Sequence, residues 1–452
     1  MRLEAAGWSW LFPLLLGAAC GSAGPARGAA SDAGGVATDA GLPAACAFQI
    51  EAAPSPMIAT VGVVDWTVNL PALDEARIDF TIDDPAPGTI NVGSGGVIST
   101  SGTMHRALML GMKPLHTYTY RVTAKSGATT CTSADRSFTT GAATGAPTVN
   151  RTVMNGAAQA RGFIVTSGGF WDASSWQDAY VIDADGDVVW WAPSAAQCSR
   201  ALMDWEGQTM WTIAANPPLS GSSTVDITGG RVTSVAMDGT GSKMLVQDPY
   251  NRTHHDLAVL PGGVVAFLVW NANNDTRSNL VERSPDGTLK TVVTLDTNVF
   301  GPATGHLHAN SVMYHPTDDT YTVSDLTASA YAKISRQGQL LWQFRMDCKG
   351  STAPKCAASP DVVGNHGHHL LDDGHFLFFR ATSTTSAPVY EYVLNETATS
   401  LTASQLWSYS ADNEGSDVLG DIQRLPNGNT MIDYIPVPER SASSRPRARS
   451  SR

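Results

Sequence analysis

Three histidines in this 452-residue chain are spaced so that they could share one chemistry. The chain carries 11 His, nine of them between His254 and His375. His255 and His366 each stand eight residues before a turn glycine, Gly263 and Gly374, and His308 precedes Asp318 in a looser copy of the same motif. A neutral imidazole is a competent nucleophile. An imidazole titrating near neutral pH is also a general acid or base. A lone histidine of this kind commonly caps a strand or fills a turn. Three at matching positions point to a shared site. The nearby His254, His306, His315, His368, His369 and His375 are expected to support that site or lie at the surface. The spacings His306-x-His308 and His366-x-His368-His369 also suit a metal, but no carboxylate or Cys shares the slot, so no metal is expected.

The elements that must position these residues repeat. Related segments run from Ser199 to Gly207, His255 to Gly263, His308 to Asp318, His366 to Gly374 and Gly420 to Gly428, and their closing residues are 54 to 56 positions apart. A second motif interleaves, strand-turn-strand and often ending in Trp: Tyr180 to Trp190, Val281 to Lys290, Ala332 to Trp342, and a degenerate copy from Val393 to Trp407. A period near 55 with about four short strands per unit predicts a β-propeller, with a solenoid as the alternative. The expected fold class is all-β, a six-bladed propeller over 150–436 preceded by a small β-sandwich. The last blade is expected to be incomplete, because the final recognisable strand ends near Tyr434 and 437–452 is a basic Ser/Arg/Pro string expected to be disordered. Equivalent blade positions face one axis, so His255, His308 and His366 should converge at the mouth of the central channel.

Residues 46–142 alternate short β-type runs with turns. The run Met112 to Val122, followed by Ser137 to Thr140, resembles a fibronectin-type-III sandwich, in which a Pro turn leads to a Tyr that anchors a strand corner. Residues 1–19 read as a secretory signal, with Arg2 ahead of the apolar run Trp8 to Ala19. Cys20 behind small residues resembles a lipoprotein attachment site, and 20–45 reads as a flexible tether. Export permits disulfides. Cys46 and Cys131 bracket the first domain, Cys348 and Cys356 could close a short loop, and Cys198 is left over.

Composition narrows the function. With 42% hydrophobic and 15% charged residues the chain has enough apolar side chain for packed cores, and 42 Gly with 25 Pro argue against a long helical bundle. A net charge of −12 argues against a nucleic-acid partner.

His254-His-Asp256 with Leu260-Pro261, His308-Ala-Asn-Ser311 with Asp319 to Ser324, and Asn365-His366 with Gly374 resemble three active-site signatures of the bacterial aryl-sulfate sulfotransferases. The resemblance covers roughly 46–434. It implies an N-terminal sandwich, a six-bladed propeller and export to the periplasm of a Gram-negative bacterium, free or lipid-anchored. The implied activity moves a sulfuryl group from a phenolic sulfate to a phenol through a sulfohistidine, with no cofactor and no nucleotide donor. By the same resemblance His366 is the nucleophile, His255 and His308 are its supporting histidines, Asn310 binds substrate, and Cys348–Cys356 is a disulfide. The order of His255 and His308 in acid-base chemistry stays open, as does a homodimer. One position departs from the family. Ser324 and Lys333 match its frame, but Leu326 stands where it carries Arg, and Arg380 or Lys333 is the expected substitute cation. The alternative reading is a non-catalytic exported propeller that presents its channel mouth to a glycan, peptide or aryl ligand.

Overall fold

The computed structural model describes residues 2–4, 37–38, 46–83, 103–152, 155–156, 159–167, 179–192, 200–214, 230–271, 277–301, 307–381, 386–411, 416 and 419–434. Cys20, Cys198, His306 and the 437–452 tail lie outside them. Among the described residues the chain is all-β, a series of small antiparallel sheets of the propeller-like or sandwich kind, with helix confined to single turns at Tyr250–Arg252 and Thr297–Phe300. It divides into two compact units.

The first unit holds the sandwich. One sheet runs Ala37–Thr38, Phe48–Pro54, Gly62–Val68, His105–Met109. The other pairs Glu75–Ile82, Thr117–Ser126 and Thr129–Thr132, with Arg136–Thr139 on the far edge of Thr117–Ser126. Alternation along the strands sets the two faces: in Thr117–Ser126, Tyr118, Tyr120, Val122 and Ala124 point inward and the residues between them do not. They meet Phe48, Val64, Trp66, Ile78 and Phe80 in one core. The tyrosine corner is present: the Tyr118 hydroxyl accepts a hydrogen bond from the Lys113 backbone N–H at 2.8 Å. Cys46–Cys131 is a disulfide spanning 85 residues. The strand pair Ala179–Asp183 and Val188–Ala192 turns at Gly186, and residues 180–191 belong to this unit. There the buried Lys113 ammonium meets Asp183, Asp185 and Asp187 at 2.5, 3.0 and 2.6 Å.

The second unit holds the repeats. Three consecutive four-strand meanders run Arg200–Met203 to Lys243–Leu245, Thr253–Leu260 to Leu289–Leu295, and Ala309–His315 to Leu340–Arg345. A fourth runs Asn365–Leu370 to Val389–Glu396 and Leu401–Tyr409, and a two-stranded sheet, Asp421–Arg424 with Thr430–Asp433, follows. The first sequence motif closes the turn between strands one and two of each of these sheets, and the second closes the turn between strands three and four in the sheets that begin at Thr253, Ala309 and Asn365; its copy Tyr180 to Trp190 is the strand pair of the first unit. The closing residues explain the period. Gly207, Gly263, Gly374 and Gly428 all have positive φ, and the looser copy uses Asp319 (φ 53°) one residue beyond the expected position. The third sheet has an addition the repeat does not announce. The disulfide Cys348–Cys356 closes an eight-residue separation, and Cys356–Ala358 returns as a fifth, parallel strand beside Leu340–Arg345.

Neighbouring sheets pack face to face. Leu260, Ala266, Leu268 and Leu280 meet Val312, Tyr321, Val323 and Ile334 in one core. Tyr331, Trp342 and Phe344 meet Phe376, Phe378 and Tyr392 in the next. Second strands are therefore buried on both sides and lose the alternating pattern: Phe376-Leu-Phe-Phe379 has no exposed member. Burying each such side chain contributes about 1.5–3 kcal/mol, which anchors the strands beside which the histidines lie. The first strands of successive sheets also touch one another in chain order, bringing residues 53 and 58 positions apart into one place.

The two disulfides fit an exported protein, extracellular or periplasmic. No helix among the described residues is long and apolar enough to cross a membrane.

Candidate functional site

His255 and His366 lie on first strands and His308 lies one residue before one. Each of these strands is irregular at the same place. Register shifts fall between His254 and Leu257, Ala309 and Ser311, and Asn365 and His368. A bulge re-aims side chains that a regular strand would alternate between faces. At the first of them His255 takes φ 56°, an uncommon conformation for a non-glycine residue, and such outliers collect at functional sites.

The bulges bring the three histidines together. His255 Nε2 lies 3.0 Å from His308 Nε2, and the His255 ring centroid is 6.3 Å from that of His366. His254 extends the cluster: its Nδ1 is 2.8 Å from His255 Nδ1, and its Nε2 is 3.0 Å from the Ser278 hydroxyl. A neutral imidazole has one N–H and one lone pair. The chain Ser278–His254–His255–His308 is thus satisfied with every hydrogen bond pointing one way, or every one reversed. Trp270 stacks on His254 at 3.8 Å and lies 5.8 Å from His308.

His366 differs from the others. Its Nδ1 lies 3.2 Å from the Gly420 carbonyl. A carbonyl only accepts, so Nδ1 carries the proton and Nε2 the lone pair. That Nε2 is shielded from solvent and has no hydrogen-bond partner among the described residues. Burial brings the His366 pKa down to about 4, with Asp421 and the Gly420 carbonyl pulling upward and His308 and Arg200 pushing down. Burial also holds His255 well below the usual imidazole value, helped by His308, His254 and His366, and lowers His308. The cluster is therefore neutral at pH 7.

Asn310 is buried beside this cluster. Its amide donates to the Asn365 carbonyl at 3.0 Å, and its Oδ1 accepts from the Ser324 hydroxyl. Two expected cations point elsewhere. Lys333 is drawn to Asp318 at 2.5 Å, at the turn end of its hairpin. Arg380 is paired in register with Asn365, yet its side chain turns to the Tyr390 hydroxyl at 3.3 Å and toward Asp361 at 4.0 Å. Leu326 is exposed, and its backbone N–H donates to the His308 carbonyl at 3.0 Å.

Sequence reasoning missed Trp270, Ser278 and an ion-pair network. Arg200 bridges Asp256, at 3.1 Å, and Asp421. The signal was present: Arg200, Asp256 and Asp421 each stand seven residues before their closing turn glycine, one place after the histidine slot. Burial pushes Asp256 up to about 6, opposed by Arg200 and by the Val312 and Leu257 N–H groups.

No protein-family model and no curated protein matches the chain. Among solved structures, a protein from Lactobacillus plantarum is 13% identical, with 60% of this chain and 75% of that one covered at a TM-score of 0.38. A subtype N11 neuraminidase-like protein of A/flat-faced bat/Peru/033/2010 (H18N11) is 11% identical over 60% of this chain and 68% of its own, at a TM-score of 0.22. Likenesses this distant carry no argument about the site.

Proposed function

We propose that this chain is an aryl-sulfate sulfotransferase on a six-bladed propeller, exported to the periplasm, where a lipid on Cys20 would anchor it to the outer membrane. The observation that carries the reading is the His366 imidazole, fixed through Nδ1 with its Nε2 lone pair unshared and a pair of neutral histidines beside it. The three-signature resemblance supplies the substrate class.

In the first half-reaction the Nε2 lone pair of His366 attacks sulfur of the phenolic sulfate. The S–O bond to the phenol breaks, and the departing phenolate takes the one extra proton that the otherwise neutral His255–His308 pair binds when the anionic sulfate ester enters beside it. The product is a sulfohistidine. In the second, an acceptor phenol gives its proton back to that pair, its oxygen attacks sulfur, and the S–N bond breaks. The proton balance closes over the cycle, and no cofactor enters. His308 and His255 share one hydrogen bond, so the pair acts as one acid-base unit. Mutual repulsion keeps it at one extra proton. A protonated imidazole there and the spare amide hydrogen of Asn310 supply positive potential for the sulfuryl oxygens.

Leu326, with Lys333 and Arg380 held by other partners, favours a second reading: a non-catalytic propeller that binds an aryl or glycan ligand. Initial-rate kinetics with p-nitrophenyl sulfate and a phenol acceptor separate the two. The first reading gives acceptor-dependent nitrophenol release and parallel double-reciprocal lines. Turnover no faster than buffer leaves the binding reading.

A further inference from the structure

We infer that Arg200 is a positioning residue for His366, clamping Asp421 so that the adjoining Gly420 carbonyl stays on the His366 ring. The inference rests on the reading of His366 as nucleophile for its functional meaning, but not for its geometry.

Arg200, on the first strand of its sheet, bridges the carboxylates of Asp256 and Asp421, each on the first strand of another. Both carboxylates are fixed from behind by backbone. Asp256 accepts from Leu257 N–H and Val312 N–H at 2.9 Å each, and Asp421 accepts from Ile422 N–H at 2.9 Å. The Gly420 carbonyl, immediately before Asp421, accepts the His366 Nδ1 proton and also the Gly367 N–H at 3.1 Å. Gly367 completes the fit. A Cβ there would lie 2.2 Å from Asp421 Oδ1 and 2.7 Å from the Gly420 oxygen, so only glycine lets this segment close on the ring. Paired with two carboxylates, Arg200 is committed to holding the site and is not a free cation for substrate.

The charged and titratable groups facing His366 are Asp421, which favours its protonation, His308 and Arg200, which oppose it, and the neutral His255 ring. Removing the guanidinium therefore raises the His366 titration midpoint as well as loosening its ring.

The test is NMR of histidine-labelled whole protein, with His366→Gln assigning the signal, on wild type, Arg200→Lys, Arg200→Met and Gly367→Ala. The expected result is a single Nδ1–H tautomer in wild type. Mixed tautomers should appear in Arg200→Met and Gly367→Ala, with a midpoint about one pH unit higher in Arg200→Met. Arg200→Lys should be intermediate. Where transfer activity is measured, kcat should fall on the order of 10- to 100-fold with KM little changed, and Arg200→Lys should recover part of it. Folded Arg200 variants with an unaltered His366 tautomer and midpoint overturn the assignment. If Arg200→Met does not fold, Arg200→Lys decides by the same signals. The spectra need no substrate, so this inference and the sulfotransferase reading fail separately.

Discussion

The two compact units each bury charge or titratable groups, and they treat them in opposite ways. In the sandwich unit the Lys113 ammonium is surrounded by Asp183, Asp185 and Asp187, and despite burial its pKa is raised, because three carboxylates favour the charged form. In the repeat unit, His255, His308 and His366 are desolvated, and burial drives their protons off. The first arrangement commits the ammonium to its carboxylates. The second leaves a buried nitrogen with a lone pair to give. Saturation is what stability needs, and an unshared acceptor beside proton carriers is what chemistry needs.

Breaking each cluster should show the difference. His366→Gln should lower sulfuryl transfer at least ~10³-fold while leaving the urea midpoint near wild type. Lys113→Met should do the reverse. It leaves the buried Asp183 carboxylate without its cation, so stability should drop by about 3–5 kcal/mol with kcat unchanged in the folded fraction. A large stability loss in His366→Gln would show that the histidine is structural.

The disulfides sharpen the same contrast. Chain-entropy scaling makes the 85-residue closure of Cys46–Cys131 worth about 4–5 kcal/mol and the eight-residue closure of Cys348–Cys356 about 2–3 kcal/mol. Equilibrium unfolding of Cys46→Ala/Cys131→Ala and of Cys348→Ala/Cys356→Ala should rank in that order, and equal losses would break the assignment.

Acid should act mainly on the repeat unit. Seven of its histidines, His254, His255, His308, His315, His366, His368 and His369, have pKa values lowered by burial. The unfolded chain therefore binds more protons, and stability present above pH ~6.5 is lost as pH falls toward 4. Asp256, Asp325 and Asp433, raised to about 6, oppose this but are outnumbered. Denaturation midpoints at pH 7 and pH 5 should differ in that sense. Transfer, which needs neutral His366, should persist to pH ~5 and fall through about pH 4. The smallest effect is expected of Tyr118→Phe, about 1 kcal/mol from one hydrogen bond in the sandwich, read by thermal unfolding.

Much of this was legible because it is periodic or local. The spacing of His255, His308 and His366, the turn glycines and the Tyr118 corner all leave marks in short windows. What stayed hidden depends on partners distant in sequence. The hairpin turn puts Asp318 within reach of Lys333, and cross-strand pairing gives Arg380 to Tyr390, so neither lysine nor arginine reaches the histidines. The Arg200–Asp421 bridge spans 221 residues. The bulges that re-aim His255 and His366 carry no residue signature at all. The shared slot of Arg200, Asp256 and Asp421 was visible in the repeat, but their charges acquire meaning only once first strands adjoin.

The account turns on His366 Nε2 as the atom that receives the sulfuryl group. Brief exposure of the intact protein to p-nitrophenyl sulfate without acceptor, followed by mass measurement and peptide mapping, tests it directly. The predicted result is one added sulfuryl group on His366, lost on adding a phenol and absent in His366→Gln. Nitrophenol release with no adduct on His366, or an adduct on another residue, would contradict it.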